Sequence, residues 1–378
     1  MEPTVRPARE DDAEALAELS QEAFGYPRQT PRSPIAEGRS TWVAEHRGRV
    51  VASASCHRYE SWWWGQALPT AGMAGVKVSP EARGQGLVRR LFEPLLDEAR
   101  EWGAVVSTLF ATAPAVYRSL GYEVVAVYHD ETVVPTSAFA ELPPGPDTLR
   151  RAVPEDLPAL RDTYEDWARQ HNGPLTRRGP LFPSDGAFSS GAYTLAEREG
   201  RVTGVLRWAR TSRYGEPEST LRVHDLVALD ADAAVSLLAS LGSHAPVAPR
   251  TVVSTSGIDA IHVLVPSWQW RSTGGSPYSL AVLDPAEVLR SRAYPAWASL
   301  QTTVAVGDRA WSVRLEGGRA TVEPTDSEPA VRFTRRGLAV VWSGSQSLAA
   351  ARQAGLAEGA DDLWTLFGAG QVHIRDYF

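Results

Sequence analysis

A stretch of glycines and arginines separates a strand-like run from a helix-like run early in the chain. It reads VSPEARGQGLVRRLF, from Val78 to Phe92. Val76 and Val78 flank Lys77 in the alternation of a β-strand, and apolar residues recur at helical spacing after the glycines. Backbone N–H groups at a glycine-rich strand–helix junction can bind phosphate, because no side chain intervenes and the helix dipole favours an anion. We therefore predict a phosphate cradle there, formed by Arg83, Gly84, Gln85, Gly86 and Leu87.

The spacing within this cradle differs from two common nucleotide-binding loops. Arg83-x-x-Gly86-x-Val88 matches neither G-x-x-x-x-G-K-[ST] nor G-x-G-x-x-G. On these residues alone, an ordinary glycine-rich turn without a ligand remains an alternative. The rest of the chain must supply the elements that position the cradle.

An internal repeat indicates what those elements are. TVRPAREDDAEAL begins at Thr4 and TLRRAVPEDLPAL begins at Thr148, and Thr, Arg, Ala, Asp and Leu recur at matching positions. AEHRGRV at Ala44 and AEREGRV at Ala196 match in the same order. In each copy a strand leads to an acidic helix start and then to apolar residues at helical spacing. We predict two related α/β domains, joined by the proline-containing residues 135–147.

The second copy lacks the cradle. Its corresponding region, Val227–Ser240, keeps apolar residues but contains neither glycine nor arginine. We therefore expect an active first domain at residues 1–134 and a degenerate second domain at residues 148–267. From residue 276 to 378, a capped helix, strand-like runs and two helical patterns predict a small α+β domain. The expected fold class is α/β (α+β), with two tandem domains of one kind and a third domain at the C-terminus.

Composition excludes several classes of protein. The 378-residue chain has a net charge of −7, which argues against a general nucleic-acid binder. It has one cysteine, Cys56, a polar start, and no apolar run near the ~20 residues that span a bilayer, so we expect a cytoplasmic protein without a membrane segment. The histidines show no H-x-x-x-H pair, and G-x-S-x-G is absent, so we expect neither a metal site nor a serine hydrolase.

Two stretches together resemble a known family. The loop at Arg83 resembles the acyl-CoA pyrophosphate loop of the GNAT acetyltransferases, R/Q-x-x-G-x-G/A, although Val88 departs from the small last residue. APAVYRSLGYEVV, from Ala113 to Val125, resembles the later element in which a tyrosine-bearing helix leads into a strand. The whole chain, with its terminal SLAAARQAGL and DYF, resembles the three-part Eis family: an active GNAT domain, a degenerate GNAT domain and a sterol-carrier-protein-like domain.

The resemblance implies roles for particular residues. It implies acetyl-CoA as co-substrate, bound by the cradle and by backbone N–H groups near Val76 and Val78. Tyr117 takes the position of the acid that protonates the leaving thiolate, and the terminal carboxylate of Phe378 that of the base. Without the family, a tyrosine on a short helix such as Tyr117 is more often a packing residue, and the alternative for Phe378 is a docked strand end without chemistry. The family also forms hexamers, so we expect a homo-oligomer.

The acceptor is the least defined part of the prediction. The resemblance implies a polyamino small molecule, such as an aminoglycoside or a polyamine, or a lysine side chain. Phe24, Tyr26, Trp62, Trp64 and Asp376 are candidates to contact it, with strand alternation placing Trp62 and Trp64 on one face. The tryptophans are equally expected to pack between domains or subunits. The alternative function is a non-catalytic CoA- or lipid-binding protein that uses the third domain.

Overall fold

The computed structural model describes residues 2–25, 27, 30–182, 188, 191–211, 216, 219–359, 363, 366–368 and 370–378, without the side chain of Asp130. Within these residues, one sheet of 13 strands runs through the first part of the chain, and a second sheet of five strands forms a C-terminal unit. The strand order of the large sheet is β1-β2-β3-β4-β5-β13-β6-β11-β10-β9-β8-β7, with β12 beside β6, and the bounds of these strands follow below.

The first unit places its helices on both faces of the sheet. Its strands are β1 (Thr4–Pro7), β2 (Arg39–His46), β3 (Arg49–Trp63), β4 (Gln66–Val78), β5 (Val106–Phe110) and β6 (Glu123–Pro135), and its helices are α1 (Ala13–Phe24), α2 (Leu87–Glu101) and α3 (Pro114–Arg118). The apolar stripe expected after Gly86 is buried in α2 as Leu87, Leu91, Leu95 and Ala99. It packs against Ala52, Ala54 and Cys56 of β3, so this core sits between α2 and one face of the sheet.

The second unit repeats this arrangement. Its elements are β7 (Thr148–Arg151), α4 (Leu157–Ala168), β8 (Ala192–Arg198), β9 (Arg201–Arg210), β10 (Thr220–Ala228), α5 (Ala231–Leu241), β11 (Arg250–Ser256) and α6 (Ala260–Leu264). Its core lies between α5 and the sheet, around Leu206, Leu226 and Leu237.

The repeated residues make the same contacts in both units. Arg6 pairs with Asp12 at 2.7 Å and with Glu45 at 2.9 Å. Arg150 pairs with Asp156 at 2.7 Å and with Glu197 at 2.7 Å. In each unit the aspartate also accepts a hydrogen bond from the backbone three residues before it, and it thereby holds the helix start against the first two strands. The predicted two tandem domains of one kind are confirmed.

One strand crosses the expected boundary of the third domain. β13 (Ser276–Val282), preceded by β12 (Arg271–Thr273), lies between β5 and β6 and is antiparallel to both. Residue 276 therefore does not begin a separate body: the segment 276–282 completes the sheet of the first unit. Sequence patterns could not reveal this, because strand type is a local property and strand partners are not.

The C-terminal unit is an α+β body. It comprises α7 (Pro285–Ser291), β14 (Leu300–Val306), β15 (Arg309–Glu316), β16 (Arg319–Pro324), β17 (Val331–Phe333), α8 (Arg335–Trp342), α9 (Leu348–Gln353) and β18 (Ala357–Gly359). Its sheet has the order β16-β15-β14-β17-β18. Helix α8 is largely buried, and Trp342 at its end packs 5.2 Å from Trp63 of the first unit, measured between ring centroids. The C-terminal unit thus shares one apolar core with the large sheet.

Candidate functional site

The parallel strands β4 and β5 separate partway along their length. Only Thr70–Gly72 pair with Val106–Thr108, whereas the other edge of β5 pairs with β13 along its full length. A bulge bends β4 at this point: Ser53 lies opposite Lys77 and Ser55 opposite Ala74, and Gly75 takes a φ of +58°. No described strand lies beside residues 73–78 on the β5 side. The separation leaves an open notch lined by backbone groups that a ligand can use.

The predicted cradle lies at one end of this notch. Residues 79–86 join β4 to α2, and Gly84 and Gly86 have φ values of +77° and +69°. A Cβ at either glycine would meet nothing within 4 Å, so the loop surface is open. Gly86 caps α2, whose first-turn N–H groups have no side-chain cap. Arg83 is exposed, and its Nε lies 3.4 Å from the carbonyl oxygen of Val78.

The second unit has no such loop. Residues 229 and 230 alone join β10 to α5, and the side chain of Asp230 accepts a hydrogen bond from the N–H of Ala233 at 2.9 Å. A carboxylate thus occupies the position at which an anion would bind in the first unit.

Tyr117 lies on α3, on the α2 side of the large sheet. It is 6% exposed, with its ring 5.9 Å from that of Phe92 and 6.3 Å from that of Tyr122. Its hydroxyl has no hydrogen-bond partner among the described residues. Burial raises the pKa of Tyr117 above its ordinary value of 10.0, so the hydroxyl stays protonated at neutral pH and is available as a proton donor.

Phe378 lies on the other face of the sheet, the face covered by α1. Alternation along β3 sends Ser53, Ser55, His57 and Tyr59 to this face, away from α2. The Phe378 ring is 5.0 Å from the Tyr59 ring, 6.4 Å from the His57 ring and 5.5 Å from the Phe110 ring. The terminal carboxylate forms no ion pair with any residue of the described ranges. Tyr117 and the C-terminal residue thus lie on opposite faces of the large sheet.

Glycine is required at position 72, beneath these rings. A Cβ built there would lie 2.6 Å from the Tyr59 ring and 3.0 Å from the Phe378 ring. Gly72 is also the last residue of β4 that pairs with β5. The close approach of the terminal residue to the strand therefore depends on the absence of a side chain.

The second unit holds the tail that carries Phe378. The N–H of His373 donates to the Asn172 carbonyl at 2.7 Å, and Ser256 Oγ bonds both the N–H and the carbonyl of Ile374. Arg375 pairs with Asp259 at 2.7 Å, and both side chains are 6% exposed.

The tail enters where the second unit's own strands separate. Arg375 also approaches Asp225 of β10 at 3.9 Å, and β10 pairs with β11 only over Thr220–Val223 and Arg250–Val253. The position that is an open notch in the first unit is therefore occupied by the chain's C-terminus in the second.

Asp376, predicted to contact an acceptor, is already paired. Arg177 Nε lies 3.0 and 3.1 Å from its two carboxylate oxygens, and the same guanidinium pairs with Asp225 at 2.8 Å. The structure thus assigns Asp376 to tail docking, because its charge is compensated by Arg177.

The tryptophans pack between units. Trp62 packs against the second unit's core around Tyr164 and Trp167. Trp64 does not continue the strand alternation, because it lies in the turn after β3 with a φ of +52°. Its indole N–H donates to the Trp342 carbonyl at 2.7 Å, and Arg292 stacks on its ring at 3.6 Å. Neither ring contacts the Phe378 ring within the described residues, so these contacts favour the packing alternative over the acceptor role.

The remaining two acceptor candidates lie at the end of α1. Phe24 is 42% exposed, one helical turn beyond Ser20, which faces the sheet. Tyr26 lies outside the described residues. That either residue contacts an acceptor stays a prediction.

A histidine–tyrosine pair beside Phe378 was missed by sequence analysis. His57 Nδ1 and the Tyr59 hydroxyl are 2.9 Å apart. Burial, and to a lesser extent Arg39, lowers the pKa of His57 to about 4, so the imidazole is neutral at pH 7. The spacing His57-x-Tyr59 on a strand puts both side chains on one face, and that was the available signal.

A cleft lies on the same face of the sheet, and its lining includes Ser55, the neighbour of His57 on that face. It has a volume of about 240 Å³ and lies between α1 and strands β2, β3 and β4. Ser20, Arg39, Ser53, Ser55 and Lys77 are among its lining residues.

Within the described ranges, no group of three or more His, Cys, Asp and Glu side chains is placed to hold a metal ion. No helix in the same ranges is long and apolar enough to cross a membrane.

Comparison with known proteins places the two repeated units in one class. Residues 4–125 match a family described as an acetyltransferase (GNAT) domain, and residues 164–283 match a second family with the same description. N-acetyltransferase Eis of Mycobacterium tuberculosis is 26% identical over 308 residues, which cover 76% of this chain and 74% of the relative.

An uncharacterized N-acetyltransferase of Streptomyces avermitilis is 30% identical over 187 residues. That match covers 46% of each protein, so the chain aligns with less than half of this relative's length. The crystal structure of a GCN5-related N-acetyltransferase from Anabaena variabilis superimposes with a TM-score of 0.88 over 100% of both chains, at 19% identity. At that identity the likeness concerns the fold alone.

Proposed function

The chain is an Eis-like member of the GNAT acetyltransferase family, and from that premise we propose that it transfers the acetyl group of acetyl-CoA to a primary amine. The observation that carries the proposal is the placement of Tyr117 and the Phe378 carboxylate on opposite faces of the sheet, where β4 and β5 part. Acyl transfer from a thioester to an amine needs a proton acceptor on the amine side and a proton donor on the sulfur side.

The notch between β4 and β5 fits the co-substrate. Pantetheine is a chain of amides, which can pair with the unpaired backbone groups of residues 73–78 as an added strand would. The pyrophosphate then meets the N-terminus of α2 and the loop of residues 83–87, where open glycines and Arg83 favour an anion. Backbone N–H groups near Val76 and Val78 remain our candidates to hold the thioester arm and polarise its carbonyl.

Two residues of this chain can accept and donate the protons that the reaction moves. The amine nitrogen forms a bond to the thioester carbonyl carbon, and the carbon–sulfur bond breaks. The amine's proton passes to the Phe378 carboxylate, and the Tyr117 hydroxyl donates a proton to the sulfur. Tyr117 then regains its proton from solvent, and the Phe378 carboxyl group releases its proton to solvent; the acceptor's ammonium proton is lost to solvent before attack. An isolated carboxylate is a weak base, but the attacking nitrogen becomes strongly acidic as the new bond forms, and positioning contributes much of the rate.

The resemblance extends the acceptor class to polyamino compounds and lysine side chains. A primary amine is what these acceptors share, and it is the part of the prediction that the proposed chemistry needs. We also propose, on the resemblance alone, that the chain assembles as a homo-oligomer of up to six copies, which sedimentation of the purified protein tests directly.

Thiol release from acetyl-CoA tests the proposal. The untagged protein is assayed with a panel of amines, and Tyr117→Phe should lower kcat by about 10²–10³-fold while acetyl-CoA binding stays unchanged. Tyr193→Phe, the same chemical change in the second unit, is the matched control and should retain activity. Full activity in Tyr117→Phe would remove the proposed acid. Acetyl-CoA binding without release for any amine would favour the non-catalytic alternative.

A further inference from the structure

The cleft beside Phe378 is lined by cations. Arg32, Arg39 and Lys77 line it together with serines and threonines, and no carboxylate is among its described lining residues. The carboxylate of Glu10 accepts a hydrogen bond from the lining residue Ser33 at 2.8 Å, at an exposed position. An acceptor bound here would lie in a positive field.

On its β2–β3 side, the lining of this cleft is adjacent to His57. Arg39 lies directly opposite His57 in the pairing of β2 with β3. Ser55 lines the cleft, and His57 is the next residue of β3 on the same face. The Phe378 ring follows at 6.4 Å from the His57 ring. A molecule that is bound between Arg39 and Lys77 and extends past His57 would approach Phe378.

The cations are not neutralised by the protein. Lys77 Nζ donates to Ser20 Oγ at 2.6 Å, and Arg39 donates to the Ser33 carbonyl at 2.5 Å. Arg39 Nε is buried without a partner. Neither Lys77 nor Arg39 forms an ion pair within the described part of the chain. Burial, and then Arg39, lowers the pKa of Lys77 to about 8, which is what a buried cation without a counter-charge is expected to show.

These cations are separate from the phosphate cradle. Val76 and Val78 pack with the α2 core, whereas Lys77 between them points to the α1 face. The cradle of residues 83–87 sits at the N-terminus of α2. The positive cleft therefore serves the acceptor side of the notch.

We propose that the acceptor is a small amine that also carries an anionic group, a carboxylate or a phosphate, which Arg39 and Lys77 bind. The inference rests on the proposed function, since it takes the cleft beside Phe378 as the acceptor's place. Polycations such as aminoglycosides and polyamines are disfavoured there by like charge. The same field disfavours the ammonium form of the acceptor and so helps it to present a neutral, attacking nitrogen.

Matched acceptors test the charge preference. Thiol release is measured for L-lysine against cadaverine, which lacks only the carboxylate, and for 2-aminoethylphosphonate against ethanolamine. We expect kcat/KM at least tenfold higher for the anionic member of a pair, and a KM for that member raised about tenfold or more in Lys77→Met and Arg39→Met. Lys77→Arg keeps the charge and should restore the preference, which separates a charge effect from a folding defect.

Equal or higher kcat/KM for cadaverine and ethanolamine would overturn the inference, and if that turnover is lost in Tyr117→Phe the proposed function stands without it. If no amine releases thiol, inorganic phosphate and acetate are titrated by NMR or thermal shift. Binding that is lost in Lys77→Met but kept in Lys77→Arg supports the anion site, and no binding overturns it. A failure to bind acetyl-CoA would count against the proposed function alone.

Discussion

The buried ion pair Arg375–Asp259 should affect activity although neither residue is proposed to take part in the reaction. Arg375 lies three residues before the chain's end, and both side chains are 6% exposed at a distance of 2.7 Å. Burial by itself would raise the pKa of Asp259, but Arg375, His373 and the backbone N–H of Ser256 together lower it below its usual value, with Arg375 first among them. In Arg375→Met, Asp259 keeps its buried position and loses its counter-charge.

The magnitude follows from what the tail must offset. Removing one partner of a buried ion pair costs about 3–5 kcal/mol. Ordering residues 370–378 costs roughly 10–15 kcal/mol of backbone entropy, against which hydrogen bonds contribute about 1 kcal/mol each and the buried Val372 and Ile374 about 2 kcal/mol each. The docked tail is therefore only marginally stable. A loss of 3 kcal/mol should release it rather than unfold the protein, and kcat should fall at least tenfold.

The assay separates tail release from general damage. Acetyl-CoA affinity should stay within about twofold of wild type, because the notch and the cradle belong to the first unit. Asp259→Asn in the same chain removes the orphaned charge and should recover part of the lost kcat. Arg314→Met, at an exposed strand position, is the matched control. A kcat for Arg375→Met within twofold of wild type would refute the reasoning, as would an equal loss of acetyl-CoA binding.

Three further outcomes follow from the first unit. Gly72→Ala places a Cβ 2.6 Å from the Tyr59 ring, so thermal unfolding should show about 1–3 kcal/mol of destabilisation and thiol release should fall; unchanged values would mean that the rings move freely. Lys77→Met should raise the free energy of unfolding at pH 7 by about 1–3 kcal/mol, measured by urea titration. The reason is that burial, and then Arg39, lowers the pKa of Lys77 from 10.5 to about 8. This stabilisation should grow as the pH falls from 10.5 to 8 and should be absent above pH 10.5. Burial, and then Arg39, lowers the pKa of His57 to about 4. As the pH falls from 6.5 towards 4, His57 therefore takes up a proton in the unfolded chain before it does so in the folded one, and the free energy of unfolding decreases. His57→Asn should remove about 3 kcal/mol of that decrease, and an unchanged dependence of the free energy of unfolding on pH would contradict this explanation.

Local spacing predicted the features that depend on neighbours in sequence. The Arg6–Asp12 and Arg150–Asp156 pairs span six residues each, so a repeat of residue types was enough to expect a repeat of structure. Gly84 and Gly86 likewise predicted a strand–helix junction, because they lie directly between the two elements in sequence. Each feature needs only the chemistry of a short segment.

Features that depend on distant segments were not visible. His57 and Tyr59 form part of the candidate site only because Phe378 reaches them from the far end of the chain. Asp376 resembles a free carboxylate until Arg177 is placed beside it. Trp64 follows the alternation of a strand until a positive φ turns it towards the C-terminal unit. In each case the deciding partner is more than a hundred residues away or belongs to the turn rather than the strand.

The position of β13 sets an order of events during synthesis. Strands β5 and β6 are complete once residue 135 has been synthesised. The strand that pairs with both of them ends at Val282, after about three quarters of the chain. At translation rates of about 5–20 residues per second, the edges of β5 and β6 stay unpaired for roughly 7–30 s before β13 is synthesised. During that interval the nascent chain exposes unpaired strand edges of the kind that chaperones protect. A fragment ending at residue 134 would keep those edges unpaired, so we expect the first unit not to fold stably without residues 276–282.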